Sequence, residues 1–412
     1  MTDIALDPQL VRADFPILSR VMTKGRPLVF LDNAASTQRP VSVIEAMDRV
    51  YRNAYANVHR GAHTLSEECS DLYEQARHTV ARFINASHVE EVVFTSGTTM
   101  SINLVAHAWG EERLRADDEI LVTQMEHHAN LVPWFQLAER TNAKVRFLPI
   151  EADGTLSLDR LRAMLSERTR LIAFAAVSNV LGTRNDVAQI VRIAREAGVA
   201  TLVDAAQHVP HDPTDVQAWG ADFVAFSGHK MLGPTGVGVL WGRRELLDSI
   251  QPFLGGGNMI EEVTEQGFTT KASPARFEAG TPPIVEVIGL AAAVDYLSRW
   301  PMEAIARHEH RLTEVAMAGM SRIDGLRILG PAPDQRAGIV SFVVDGVSPH
   351  DLCKFLDLRG FALRDGHHCA MPLHQLCGVN STARASFYIH TITEEVDKLV
   401  DSLNRAKKIF RL

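Results

Sequence analysis

Seven short apolar runs rich in β-branched residues recur between about residues 90 and 245: EVVFTSG, EILVTQ, KVRFLPI, LIAFAAV, ATLVDAA, DFVAFSG and VGVLWG. Most are separated by stretches of helical period, such as ANLVPWFQLAERTN and DVAQIVRIAREAG. Strands that alternate with helices in this way build an α/β fold, a mainly parallel sheet with helices on both faces. The last pair breaks the pattern. DFVAF and VGVLW are joined only by SGHKMLGPTG (227–236), too short for a helical crossover, so the final strand is expected to run antiparallel to its neighbour.

After Pro282 the pattern changes to long helical periods, VEVIGLAAAVDYLSRW and EAIARHEHRLTEVAMAGMSRI. A smaller α+β pattern follows: strand GIVSFVVDG, helix HDLCKFLDLRG, strand FALRDG and closing helix TEEVDKLVDSLNRAKKIF. The expected organisation is a large domain over 29–282 carrying the seven-stranded sheet, a small C-terminal domain over 283–412, and a segment 1–28 packing with the small domain. A chain of 412 residues, 46% apolar, is long enough to bury cores of that size.

The net charge of −8, with no Lys/Arg-rich run, argues against a nucleic-acid groove or an anionic membrane surface. No apolar run reaches the ~18 residues that span a bilayer, and the acidic, proline-broken N-terminus is unlike a secretory signal, so a cytoplasmic protein is expected. Four cysteines, Cys69, Cys353, Cys369 and Cys377, are too sparse for a disulfide framework, so a special cysteine here is a reactive one.

In an open α/β sheet, ligands bind beyond the carboxyl ends of the strands. Thr95-Ser-Gly-Thr-Thr99 falls there and leads into a helix, which offers free backbone N–H groups and hydroxyls to a phosphate, although Thr98 and Thr99 also read as ordinary helix caps. Asp204 ends an apolar strand, where a carboxylate needs a cationic partner unless it merely caps the next helix. His127 follows another strand, and Lys230 sits in the glycine-rich loop. A lysine, a phosphate cradle, an acid for a pyridinium nitrogen and a flat imidazole together meet the requirements of pyridoxal 5'-phosphate held as a Schiff base.

The segments LDNAASTQRP, NVHRGAHTLS, TSGTT, MEHHANLVPW, VSNVLGT, VDAAQ, SGHKMLGPTG, GGGNMI, RFEAGTP, RDGHHCAMPL and RAS occur in that order. With them the chain resembles the fold-type I pyridoxal-phosphate enzymes of aminotransferase class V, and within these the group II, SUF-type cysteine desulfurases. The resemblance implies that Lys230 holds the cofactor, Asp204 pairs with its ring nitrogen, His127 stacks on the ring and Gln207 meets the ring hydroxyl. It implies that Thr98, Thr99, Ser227 and His229 hold the phosphate, with Thr281 reaching the phosphate of the other subunit of a homodimer. Asn179, near the cofactor, and Arg384 would hold the substrate carboxylate, whose planar shape suits a bidentate guanidinium. Arg364, His59 and Arg60 would stand around the site.

In Arg364-Asp-Gly-His-His-Cys369-Ala-Met-Pro the resemblance makes Cys369 the nucleophile that takes sulfur from L-cysteine, with L-selenocysteine as an alternative substrate. By residue type alone Cys369 is equally a small cysteine in a turn. His367, His368, Cys369, His374 and Cys377 also have the chemistry of zinc ligands, but their spacing matches no standard finger, and no native metal is expected. His350 aligns with a histidine that engages the zinc of a SufU-type sulfur acceptor, a SufE-type acceptor being the competing partner; Ser348-Pro-His-Asp351 is equally a plain helix start. His390 stands where the family has Asn, which is expected to alter the entrance. Other class V chemistry, as in an aminotransferase, epimerase or selenocysteine lyase, and a non-catalytic subunit are the rival readings.

Overall fold

The computed structural model describes residues 6–409. All seven expected strands form: β1 (Val92–Thr95), β2 (Glu119–Thr123), β3 (Lys144–Leu148), β4 (Thr169–Ala175), β5 (Ala200–Asp204), β6 (Phe223–Ser227) and β7 (Gly238–Gly242). They lie in one sheet in the order β1-β7-β6-β5-β4-β2-β3. Neighbours from β6 through β3 are parallel, whereas β7 is antiparallel to both β6 and β1. The short 227–236 connection therefore reverses the chain, as its length requires.

Both faces of the sheet are covered. Val80, Phe94, Phe174, Val203 and Phe226 pack on one side, and Ile102, Trp134, Leu171, Leu202 and Phe223 on the other. This explains why the strands read as continuous apolar runs. Each fully buried phenylalanine favours the fold by ~1.5–3 kcal/mol. Gly238 has to be glycine, because a Cβ there would lie 2.4 Å from the Cα of Gly97. That contact lets the loop after β1 approach the loop after β6.

The helices that matter for the site are α1 (Thr64–Phe83), α2 (Thr98–Leu104) and α3 (Ile284–Leu297). After Leu104 the helical path continues through a π turn to Arg113. α3 is buried around most of its circumference and packs against α1 and the helix Val41–Asn53.

The C-terminal part holds α4 (Met302–Met320), then β8 (Leu326–Leu329), β9 (Ile339–Val344), α5 (Pro349–Asp357), β10 (Arg364–Gly366), α6 (Met371–Leu376), β11 (Thr382–Ser386) and α7 (Thr393–Ile409). The strands form an antiparallel sheet in the order β8-β9-β11-β10. β8, β11 and a hairpin of Ile260–Thr264 with Gly267–Thr270 were not expected from the sequence. The expected single strand FALRDG is two pieces: Phe361–Ala362 pairs in parallel with Val29–Phe30, and only 364–366 joins the sheet as β10.

Within the expected segment 1–28, the helix Pro8–Ala13 places Arg12 against Glu395 of α7 (2.9 Å) and the His390 carbonyl (2.9 Å). Phe15 meets the rings of His390 and Tyr296 edge-on. Residues 1–5 of that segment and Phe410 of the expected closing helix lie outside the described residues. Among the described residues no helix is long and apolar enough to cross a membrane.

One buried ion pair ties these layers to the loop that carries Thr281. Arg77 of α1, 2% exposed, donates to both oxygens of Glu278 at 2.6 and 2.9 Å and to the Val92 carbonyl at 2.9 Å. Glu278 also accepts from the Phe94 N–H (2.8 Å) and the Tyr73 hydroxyl (3.2 Å). Glu278→Ala would remove the buried partner of the guanidinium and leave it only the half-exposed Glu74 (3.0 Å) as counter-charge. It should lower the unfolding free energy by ~3–5 kcal/mol in chemical denaturation. A loss below ~1 kcal/mol would show that the pair is not the anchor.

Candidate active site

A cavity of about 360 Å³ opens at the carboxyl ends of β1, β2, β4, β5 and β6 and is roofed by the loop 364–369 and by Arg384 of β11. Thr98 and Thr99, His127, Asn179, Asp204 and Gln207, and Ser227, His229 and Lys230 line it from the sheet side; Arg364, Cys369 and Arg384 line it from the other. The fold thus gathers into one place most of the site residues expected from the sequence. His350 sits outside at the rim, exposed, with its Nδ1 3.2 Å from Asp365, which does line the cavity.

His59, Arg60 and Thr281 do not line this cavity within one chain. They line a separate cleft of about 200 Å³ with Asn57, Gly257 and Asn258. The reason is local: His59 has a left-handed backbone (φ 73) and its Nε2 is held by Glu74 of α1 at 3.0 Å. His390 is likewise not at the entrance. It is 1% exposed and packed against Phe15 and Tyr388, so its effect on the entrance is not what the sequence suggested.

Electrostatics at the cavity floor follow from burial. Burial lowers the Lys230 amine pKa, against the pull of the Asp204 charge, and thereby favours the neutral nucleophilic form. Burial raises the Asp204 carboxyl pKa, while Lys230 and the Ala206 N–H (3.0 Å) oppose the rise. Such an acid is suited to a protonated ring nitrogen as partner. His127 accepts from the Ala129 N–H through Nδ1 (3.0 Å), which leaves its proton on Nε2. Burial, followed by the charge of Lys230, pushes this ring down to about 3, so it is a flat neutral surface at neutral pH.

The cradle for an anion lies at the start of α2. The Thr98 N–H and hydroxyl meet Ser227 Oγ at 2.8 and 2.7 Å, joining the loop after β1 to the end of β6. Gly97, at φ 144, makes the turn. Burial pushes His229 down to about 4, so it offers a neutral ring. Gln207 donates Nε2 to the Ala34 carbonyl (2.6 Å), and its buried Oε1 has no partner within the chain. That orphaned acceptor suits a ring hydroxyl. The amine, acid, flat imidazole, anion cradle and orphaned amide oxygen fit pyridoxal phosphate.

The loop that carries the thiol is held firmly. His368 and Cys369 are both left-handed (φ 48 and 56), a strained pair for residues with side chains. The Asn179 amide donates to the His368 carbonyl (2.7 Å), the His128 N–H to the Cys369 carbonyl (2.6 Å), and the Met371 N–H to His128 Nε2 (3.1 Å). The Cys369 N–H in turn donates to His367 Nδ1 (3.1 Å). Cys369 is consequently exposed at the cavity, unlike the buried Cys69 and Cys353. Among the described residues, no group of three or more His, Cys, Asp or Glu side chains is arranged to hold a metal ion.

Two functional acids escaped the sequence reading. Asp32 reaches both arginines, 3.3 Å from Arg364 and 3.5 Å from Arg384, and occupies them as a substrate carboxylate would. Glu126 is buried and pushed up to about 8, first by desolvation and then by the charge of Asp204; it ties Thr123, Asn130 and the Ala175 N–H together beneath the site. The signal that singled out Asp204, an acid at the end of an apolar run, was present for Asp32 after LVFL, whereas Glu126 lies three residues past the end of β2.

The family model for aminotransferase class V matches residues 29–399. A probable cysteine desulfurase of Streptomyces coelicolor is 48% identical over 410 residues, covering 98% of each chain. One from Staphylococcus epidermidis is 50% identical over 410 residues, covering 100% of this chain and 99% of its own. Among solved structures, the cysteine desulfurase CsdA from Escherichia coli superposes with a TM-score of 0.91 at 39% identity over 98% of this chain and 99% of that one. The apo cysteine desulfurase of Thermococcus onnurineus gives a TM-score of 0.93 at 39% identity over 99% of this chain and 100% of that one.

The folded His127 ring takes up a proton only near 3, the unfolded one near ~6.5. Its contribution to stability is complete above ~6.5 and is lost as pH falls from there toward 3, at up to ~1.4 kcal/mol per pH unit. Nitrogen-15 spectra of His127 should accordingly show a neutral Nε2–H ring from pH 8 down to pH 5, and a midpoint near 6 would overturn this assignment.

Proposed function

The chain belongs to the aminotransferase class V family, and we propose that it acts as a pyridoxal-phosphate-dependent cysteine desulfurase, moving the sulfur of L-cysteine onto Cys369 and releasing L-alanine. The observation that carries this reading is the sharing of one cavity by the Lys230 amine and the Cys369 thiol, from opposite sides. An aminotransferase or epimerase has no use for a thiol held by a strained loop at that position.

Bound pyridoxal phosphate supplies an electron sink for the substrate's α-carbon. Lys230, Asp204, His127, Gln207, Thr98, Thr99, Ser227 and His229 are the residues that would hold it. The Lys230 Nζ, with its neutral form favoured by burial, takes the α-proton. Asp204 would keep a proton on the cofactor's ring nitrogen, and the neutral ring of His127 would lie against it and exclude water. Arg384, with Asn179 at its Nη1 (2.8 Å from the carbonyl), takes the substrate carboxylate. Asp32 yields that position when the substrate enters, and Arg364 shares the charge.

Cys369 Sγ, as thiolate, then attacks the substrate sulfur. A sulfur–sulfur bond forms and the carbon–sulfur bond breaks, its electron pair going to the carbon side, which is protonated to the methyl group of alanine. The transferred sulfur is oxidised and the carbon reduced, so no external oxidant is needed. A reducing cytoplasmic setting suits the thiol before and after the step.

A homodimer is part of this reading. His59, Arg60 and Thr281, which stand in their own cleft in each chain, would complete the cavity of the partner, Thr281 at its phosphate. The persulfide passes to a sulfur-acceptor protein for iron–sulfur cluster assembly. His350, exposed at the rim beside Asp365, is the ligand we assign to the zinc of a SufU-type acceptor.

Lys230→Ala should abolish alanine formation. Cys369→Ser should keep the yellow cofactor band and lose at least ~10²-fold in alanine and sulfide formation from cysteine; full activity would refute the persulfide step. His350→Ala should leave basal turnover intact and abolish stimulation by a zinc-loaded SufU-type acceptor. Stimulation by a SufE-type acceptor alone would overturn the partner assignment.

A further inference from the structure

His374 lies outside the motif that resembles the family, yet it is 2% exposed and fully committed to hydrogen bonds beside the thiol loop. Its Nδ1 stands 2.9 Å from the carbonyl of Ala370, and its Nε2 stands 3.2 Å from Thr382 Oγ1. The same hydroxyl, on a residue 0% exposed, is 2.9 Å from Nε2 of His368. Two imidazoles thus face one hydroxyl, whose single hydrogen can go to only one of them, which fixes where every proton goes.

A carbonyl only accepts, so His374 carries its hydrogen on Nδ1, and the neutral ring must accept at Nε2. The donor there is the Thr382 hydroxyl. Having donated to His374, Thr382 Oγ1 receives a hydrogen from His368 Nε2. The opposite arrangement would set the His374 lone pair against the oxygen lone pairs and place a buried N–H without a partner at His368 Nδ1, which is costlier than a buried free acceptor. The chain therefore runs from His368 Nε2–H to Thr382 and on through His374 to the Ala370 carbonyl, and ends at the other side in a bare lone pair on His368 Nδ1.

Two buried atoms here lack a partner within the chain, His368 Nδ1 and Arg384 Nε, an acceptor and a donor. Thr382 and Arg384 are two residues apart on β11 and so share a face of that strand. We propose that Thr382 and His374 are positioning residues that hold His368 as its Nε2–H tautomer, so that its unpartnered Nδ1 is a lone pair and not a second buried N–H in the cavity that Arg384 also lines. This rests on the reading of Arg384 as the group that takes the substrate carboxylate. In that reading, Thr382 and His374 tune substrate binding more than the chemical step.

The test uses the holoenzyme labelled with nitrogen-15 at histidine, with the His368 signal assigned by its loss in His368→Asn. In the wild type, long-range correlations should show a pyrrole-type Nε2 and a pyridine-type Nδ1. Thr382→Val, nearly equal in volume, and His374→Asn, whose shorter side chain has no acceptor at the reach of Nε2, should mix or reverse the tautomer. Both should raise KM for cysteine at least tenfold while kcat changes less than about threefold. Thr382→Ser should restore both readouts, which a merely structural role of the side chain would not explain.

A wild-type His368 protonated at Nδ1, or a tautomer that ignores Thr382→Val in a variant with native circular dichroism, overturns the proposal. So does a reversed tautomer with unchanged KM. Failure of the desulfurase reading is seen separately, as no alanine from the wild-type holoenzyme, and the nitrogen signals then decide the tautomer alone.

Discussion

Two ionisable groups of opposite sign at the cavity floor, the buried Asp204 and the half-buried Lys230, set the terms for the rest of the molecule. Burial disfavours the charged form of each, and each is the other's counter-charge. Holding such a pair out of water costs several kcal/mol per ion and is tolerated only in a rigid frame. The frame is the parallel run from β6 to β3, which brings the strand ends to one edge, and the reversal at β7, which lays the 227–236 loop across it. The stress in this arrangement bears on its chemistry, because the lysine whose charge is disfavoured is the one we propose as nucleophile and base.

The surrounding histidines keep the charge pattern sparse. His127, His229 and His368 are pushed down to about 3, 4 and 2, each first by burial, so at neutral pH they contribute rings and lone pairs but no charge. Positive charge on the roof is left to Arg384 and Arg364, which Asp32 holds in place by touching both. A carboxylate entering the cavity therefore meets a localised fork of guanidinium groups, and orientation follows from geometry more than from net charge. Burial lowers even Arg384, to about 10, with Asp32 opposing the shift.

Much of this was legible in the chain itself. The seven strands of the large sheet could be read because, covered on both faces, they are apolar without interruption, and the reversal at β7 because ten residues cannot make a crossover. β11 was hidden for the opposite reason: TARAS is buried throughout, but its small and polar residues serve the site, with Thr382 and Arg384 turned to chemistry. β8 is a four-residue strand that is only partly buried, so it carries little periodicity. The pairing of Asp32 could not be read because its partners, Arg364 and Arg384, are more than 300 residues away in sequence. His390 misled because Phe15, which packs on its ring, comes from the far end of the chain.

The thiol loop shows why the two halves of the chain have to be one machine. Its left-handed residues His368 and Cys369 would relax if released, and what restrains them comes from the other half: Asn179 after β4 on one carbonyl and the His128 N–H after β2 on the next. The restraint is reciprocal, since Arg384 of β11 returns a hydrogen bond to the Asn179 carbonyl and Ser341 of β9 one to Val180. A movement of the C-terminal sheet against the large sheet would therefore displace the thiol, Arg384 and Asn179 together. In the proposed function, binding of the substrate carboxylate at Arg384 and presentation of sulfur to Cys369 would in this way be parts of one geometric event.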